Sequence, residues 1–242
     1  MSIWGKIIGA AGGFAVGGPL GALIGGFAGH AIDKMRDGPG EGDDATRQIT
    51  FTIGVIALGA KMAKADGTVT RDEVDAFREV FQIPPGEVKN VARIFDLAKK
   101  DIAGFEAYAQ QLAGMFGSNP AVLEDLLDGL FHIAKADNIY HPAEDQFLRE
   151  VAAIFGFSEA DFGRIKEGHV GADKSDPYVV LGVPRDVSAA DLKSHYRKLI
   201  REHHPDTLIA QGMPQEFIDV ANEKLAAIND AYDRVEKERD LS

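Results

Sequence analysis

Apolar residues recur along most of this chain every three or four positions, the period of amphipathic helix. No stretch sustains the strict alternation of a strand. The N-terminus breaks the pattern by having no polar face, with no charged residue from Ile7 to Gly29. As one helix this stretch would reach about 35 Å, against a hydrocarbon core of about 30 Å. Gly9, Gly13, Gly17, Gly21, Gly25 and Gly29 continue a four-residue spacing begun at Gly5. On a helix they form a bare stripe where a second backbone can approach, which predicts a homodimer through this segment. In water each such glycine costs up to about 1 kcal/mol relative to alanine. The pattern predicts a Gly-rich membrane segment over residues 1–36. Pro19 would turn a single span into a helical hairpin, and the small residues from Ala22 to Ala31 also fit a secretory cleavage site. Lys6 precedes the segment while Lys34 and Arg36 follow it. That bias puts the N-terminus out and the C-terminal side in the cytoplasm.

A polar, glycine-rich linker is predicted at 37–45, followed by a helical domain at 46–167. Its first helix, from Thr46 to Lys64, carries Ile49, Ile53, Ile56 and Ala60 on one face, widened by Phe51, Val55, Leu58 and Met62. Thr70 with Glu73 and Ser158 with Asp161 have the spacing of capping boxes. Asn119-Pro120 fits an N-cap and first turn. The domain repeats itself: Lys64-Ala65-Asp66-Gly67 echoes Lys135-Ala136-Asp137-Asn138. Downstream, Glu73, Phe77 and Val80 match Glu144, Leu148 and Val151. Asp66, Glu73, Asp137 and Glu144 are weak metal-ligand candidates, because their spacing does not fit an EF-hand loop. The plainer expectation is turn-capping aspartates and helix-capping glutamates.

A second linker, 168–175, leads to a C-terminal module at 176–242. Asp176-Pro177 opens a short helix that Gly182 stops, and Ser188 with Asp191 opens the next. In that helix Leu192, Tyr196, Leu199 and His203 share the core side. Lys193, Arg197, Lys198 and Arg201 form a cationic rail beside it. Pro205 lacks an amide donor and disfavours helix at His204, so His204-Pro205-Asp206 is expected as an exposed loop. Beyond Pro214, the residues Phe217, Ala221, Leu225, Ile228, Tyr232 and Val235 make one apolar seam, suited to pack antiparallel on the rail helix.

The net charge is −12 and there is no cysteine. Acidity argues against nucleic acid as the main partner. The missing cysteine excludes disulfides, thiolate zinc sites and a cysteine nucleophile. His195, His203, His204 and Asp206 have metal-capable groups. No nucleophile, phosphate loop or carboxylate pair accompanies them, and neither enzyme activity nor a cofactor is expected.

Three resemblances gather these pieces. Residues 46–166, with the Ala65-Asp66-Gly67 turn and its downstream glutamate, resemble the TerB domain of tellurite-resistance proteins. Tyr178, Leu181-Gly182-Val183, Tyr196-Arg197-Lys198-Leu199, His204-Pro205-Asp206 and Ile228 with Ala231-Tyr232 resemble a J-domain. The whole order, with the opening Trp4-Gly5-Lys6-Ile7-Ile8-Gly9 and the loop Leu208 to Pro214, is similar to DjlA-type membrane-anchored co-chaperones. The implied fold is all-α: a Gly-rich N-terminal membrane segment, a TerB-like helical bundle with an internal pseudo-repeat, and a C-terminal J-domain hairpin. The implied partner is a DnaK-class chaperone ATPase at the cytoplasmic face of the inner membrane. It would engage His204, Pro205 and Asp206 together with Lys193, Arg197, Lys198 and Arg201. Thr207 departs from the family, where lysine commonly follows the aspartate. An alternative is a membrane-associated stress-response scaffold of the tellurite-resistance type, binding metal or a partner through the central domain.

Overall fold

A computed structural model of the chain describes residues 18–28, 41–66, 75, 77–78, 83, 85–86, 88–100, 104–135, 140–169, 175–210, 213–214 and 217–239. Among the described residues every regular element is α-helical. The helices of the central domain are arranged around one of their number, α2 (Glu41–Asp66). From Ile49 to Ala63 all of α2 is buried, including Thr50, Thr52 and Lys61. A helix covered on every side is a core helix, so the single apolar face expected from the sequence is too narrow a description. The helices α3 (Val88–Lys100), α4 (Phe105–Phe116), α5 (Pro120–Ala134) and α6 (Pro142–Ile154) surround it. Gly54 allows α4 to approach closely, since a Cβ there would lie 2.6 Å from Leu112 Cδ2. The helix also begins at Glu41, inside the stretch read as a linker. Burial farther along α2 offsets the cost of about 1 kcal/mol for carrying Gly42 in its first turn.

Pro19 lies in the first turn of α1 (Gly18–Ala28), and the residues before it, which a hairpin would need, lie outside the described residues. Leu20 and Leu23 of α1 are buried in the central core, and α1 packs on α3 and α4. The Leu20 amide donates to Gln111 Oε1 at 3.0 Å. By helical geometry Gly21 and Gly25 fall away from these leucines, on the opposite flank. Among the described residues no helix is long and apolar enough to cross a membrane. Gly9, Gly13, Gly17 and Gly29 lie outside the described residues, as do the Thr70 and Glu73 capping pair, Gly67 of the first Ala-Asp turn and Ala136-Asp137-Asn138 of the second.

The last helix of the central domain is α7 (Glu159–Gly168), opened by the expected capping box. Ser158 Oγ accepts from the Asp161 amide at 3.2 Å and Asp161 Oδ2 from the Ser158 amide at 2.9 Å. Asn119 stands at the N-cap of α5 with Pro120 behind it, but its side chain makes no capping bond.

The C-terminal module contains α8 (Pro177–Leu181), α9 (Ala189–Glu202), α10 (Pro205–Ala210) and α11 (Ile218–Glu238). Asp176 Oδ1 accepts from the Tyr178 amide at 3.0 Å. Gly182 stops α8 at φ 67°, a left-handed conformation that glycine adopts without a steric cost. Ser188 Oγ accepts from the Asp191 amide at 3.0 Å. Helices α9 and α11 run antiparallel: Tyr196 stacks on Tyr232 at 4.0 Å, while His203, two turns farther on, lies near Lys224. Tyr178, Leu181, Leu192, Leu199, Ile228, Ala231, Tyr232 and Val235 form the module's own core. The α11 seam is not continuous, however. Phe217, Val220 and Ala221, with Leu208 and Met213, belong to the core of the central domain. The Phe217 ring meets Phe51 of α2 edge-on at 5.0 Å.

Candidate partner-docking site

Helix α9 ends because Pro205 has no amide to offer the next turn. His203 closes it, its amide donating to Leu199 O at 3.0 Å. Only His203, the cap, and His204 then stand outside helix, since Pro205 already opens α10. The expected loop is therefore a corner of two residues, the cap His203 and His204. The His204 carbonyl accepts the Thr207 and Leu208 amides at 2.9 and 3.1 Å, which starts α10. Pro205 occupies a first-turn position where its missing donor is harmless.

Both polar side chains of the tripeptide point to solvent, His204 being 51 % exposed and Asp206 89 %. The Asp206 amide donates to His204 Nδ1 at 3.3 Å. Nδ1 is thereby an acceptor, which leaves Nε2 as the donor of the neutral ring. The Asp206 carboxylate lies 3.8 Å from Nδ1. An imidazole donor and a carboxylate acceptor thus project side by side.

The rail adjoins this corner. Lys193, Arg197, Lys198 and Arg201 are all exposed on α9. Lys198 lies 3.8 Å from Glu202 one turn on, and the other three make no ion pair with a described carboxylate. Tyr196, Arg197, Ile200 and Arg201 join His204 and Thr207 around an open groove of about 300 Å³. So all seven sequence candidates for partner binding lie on one continuous stretch of α9 and its corner. His203 does not share the apolar core of the module; it is buried against α5 of the central domain.

That second environment escaped the sequence reading. Helix α5 buries Glu124, Asp125 and Asp128. Lys224 of α11 reaches all three, at 2.5, 3.3 and 2.7 Å. Arg164 of α7 clamps Glu124 through two bonds of 2.7 and 2.6 Å, and His169 Nε2 meets Asp128 at 2.7 Å. A signal was available: three acids within an otherwise apolar helix, which demand buried partners. Of the weak metal candidates, Glu144 is buried and accepts the His141 amide at 2.9 Å, a capping role. Glu73, Asp137 and the Asp66 side chain lie outside the described residues. Among the described residues no three histidines or acids are placed to hold a metal.

Comparison with known proteins gives three family matches in order. They are the co-chaperone DjlA transmembrane domain at residues 1–46, the tellurite resistance protein TerB at 52–167 and the DnaJ domain at 176–240. The fold and the exposed corner thus belong to an all-α J-domain protein with a TerB domain at its centre. A co-chaperone protein DjlA of Photobacterium profundum is 31 % identical over 274 residues, covering 98 % of this chain and 99 % of that one. Its counterpart in Vibrio cholerae is 32 % identical over 286 residues, with both chains covered completely. The Coxiella burnetii protein of the same name is 27 % identical over 274 residues, again covering both chains. The chain belongs to the DjlA co-chaperone family. No solved structure matches it.

Proposed function

We propose that this chain docks on a DnaK-class chaperone through α9 and its corner and stimulates that partner's ATP hydrolysis. The observation that carries this reading is the exposure of His204 and Asp206 beside an exposed cationic rail on an otherwise acidic chain. The rail steers and holds an acidic surface, and the corner supplies the directional bonds. Asp206 accepts a charge-assisted bond from a partner arginine, while His204 and Pro205 shape the corner. The chain acts as a regulator and its partner performs the catalysis.

The N-terminal segment tethers this activity to the inner membrane, with its N-terminus out and the J-domain in the cytoplasm. The family match at residues 1–46 and the bias of Lys34 and Arg36 over Lys6 support that orientation. The glycine stripe joins two copies. Cross-linking a Gly17→Cys chain in proteoliposomes is expected to trap a dimer, and a uniformly monomeric product would remove that part of the reading.

The deciding measurement is ATP turnover by a purified DnaK-class chaperone with the full chain added. Wild type is expected to accelerate it and His204→Gln to lose the effect while keeping its thermal unfolding midpoint. Equal stimulation by both chains would refute the assignment. The stimulation is also expected to weaken with rising salt, as exposed charge pairs are screened.

A further inference from the structure

The tripeptide is anchored on both sides by a domain that does not contain it. On its N-terminal side, His203 is buried with Nδ1 3.4 Å from Asp125 Oδ1 and Nε2 3.8 Å from Glu124 Oε1. On its C-terminal side, Leu208 is fully buried in the central core with Met213 and Phe217. Between these anchors only His204, Pro205, Asp206 and Thr207 remain, and the two polar groups of the tripeptide are open to solvent.

Lys224 ties the arrangement together. Its side chain is 9 % exposed, and Glu124, Asp125 and Asp128 converge on it from α5. A buried ammonium is tolerated only where its charge is matched and its protons are directed. Here the match comes entirely from the neighbouring domain. Lys224, Arg164, His169 and His203 face the three carboxylates, and the least satisfied is Asp125, which is 0 % exposed and has no hydrogen-bond partner among the described residues. The two groups nearest to it are Lys224 and His203. The residue that caps α9 therefore faces the least satisfied carboxylate directly. Because the corner stays exposed while these contacts are made, they need not open for docking.

We infer that Asp125, Lys224 and His203 are positioning residues for chaperone docking, through which the TerB domain sets the direction of the His204–Asp206 pair relative to the rail. This rests on the docking function proposed above and goes beyond it, since it makes the central domain part of the docking device. The J-domain alone then carries the contact groups but not their full alignment.

The test uses the full chain with a purified DnaK-class ATPase, reading maximal stimulation and half-maximal concentration separately. Lys224→Met removes the cation. A triple variant, Lys224→Met with Asp125→Asn and Asp128→Asn, leaves Glu124 and Arg164 as a matched pair, so that charge imbalance does not decide folding. Both are expected to raise the half-maximal concentration about tenfold with maximal stimulation retained, the pattern of misaligned contacts. Lys224→Arg, which keeps the charge, is expected to restore most of the affinity. Amide exchange at Thr207 and Leu208, whose bonds to the His204 carbonyl define the corner, should quicken in the same two variants. A folded triple variant with wild-type half-maximal concentration overturns the inference, as does one that stimulates more strongly. A wild-type chain that stimulates no such ATPase overturns the functional reading instead, while the exchange data still report whether Lys224 holds the corner.

Discussion

His203 and His204 are neighbours in sequence with opposite surroundings, one among buried carboxylates and the other in solvent. The proline after them decides this, because the helix must end there and the next side chain is turned outward. Asp206 is the cleanest probe of the outward side. It is 89 % exposed and its carboxylate contacts only the His204 ring. Asp206→Asn is expected to change unfolding stability by less than about 0.5 kcal/mol, the usual range for surface changes. Chaperone stimulation should nevertheless be lost, as ATP turnover with and without the variant will show. Gly54 is the opposite case, far from the docking face and tightly confined. Gly54→Ala would drive a methyl into Leu112, a fully buried side chain. A loss of about 1–3 kcal/mol is expected in denaturant unfolding, in line with overpacked cores.

Among the elements, α5, α7 and α11 meet at charged groups whose protonation follows from burial and pairing together. Burial is the largest influence and pushes the Glu124 and Asp128 carboxyls up, but Lys224 together with Arg164 at the first and with His169 at the second outweighs it. Both end below their ordinary values of 4.5 and 3.8. Burial alone would lower Lys224, yet Asp128, Glu124 and Asp125 raise it above its ordinary 10.5. The carboxylates are more acidic in the folded chain, so their contribution is complete above 4.5 and is lost as pH falls through the folded values. Lys224 is more basic when folded, so its contribution is complete below 10.5 and fades as pH rises beyond that. His169 and His203 face the same carboxylates, and Glu223 lies nearby against His132. Calorimetric unfolding midpoints should show a plateau with an acid and an alkaline shoulder. Both shoulders should flatten in the Lys224→Met, Asp125→Asn, Asp128→Asn chain. The caps around these helices were legible in sequence because they are local: Ser158, Asp176, Ser188 and Gly182 each act within three residues. The charged contacts were not, because Lys224 meets partners 96 to 100 residues away. In its own helix it reads as one more solvated position.

For the whole molecule, the order of domains is written in the chain but their union is not. The J-domain motifs locate the corner and rail, and helical periodicity suffices for the all-α class. What periodicity cannot say is which core each apolar residue joins. Phe217, Val220 and Ala221 continue the seam of Ile228 and Val235, yet they leave the module and enter the central core. The same holds for Leu20 and Leu23, which look suited to lipid but dock on the helical domain. A C-terminal piece cut at Ser175 would expose Leu208, Met213, Phe217 and Val220. Each such side chain forfeits about 1.5–3 kcal/mol of burial. The piece is expected to unfold at a lower temperature than the J-domain within the full chain and to bind an apolar dye, as circular dichroism and fluorescence would reveal. A piece that melts as the full chain does would show the two cores to be independent.

Only His203 and His204 stand off helix between α9 and α10. Inserting or deleting one residue there would swing α10 by about 100° about its axis, the increment of a single helical step. Leu208 would leave its socket, and the imidazole and carboxylate would no longer emerge on the side of the rail. The fold around the corner can therefore accept a change of side chain but not a change of length. A substitution at His204 or Asp206 is expected to remove a contact group and leave the fold in place, whereas a single-residue insertion or deletion would displace the whole exposed pair together with its Leu208 anchor.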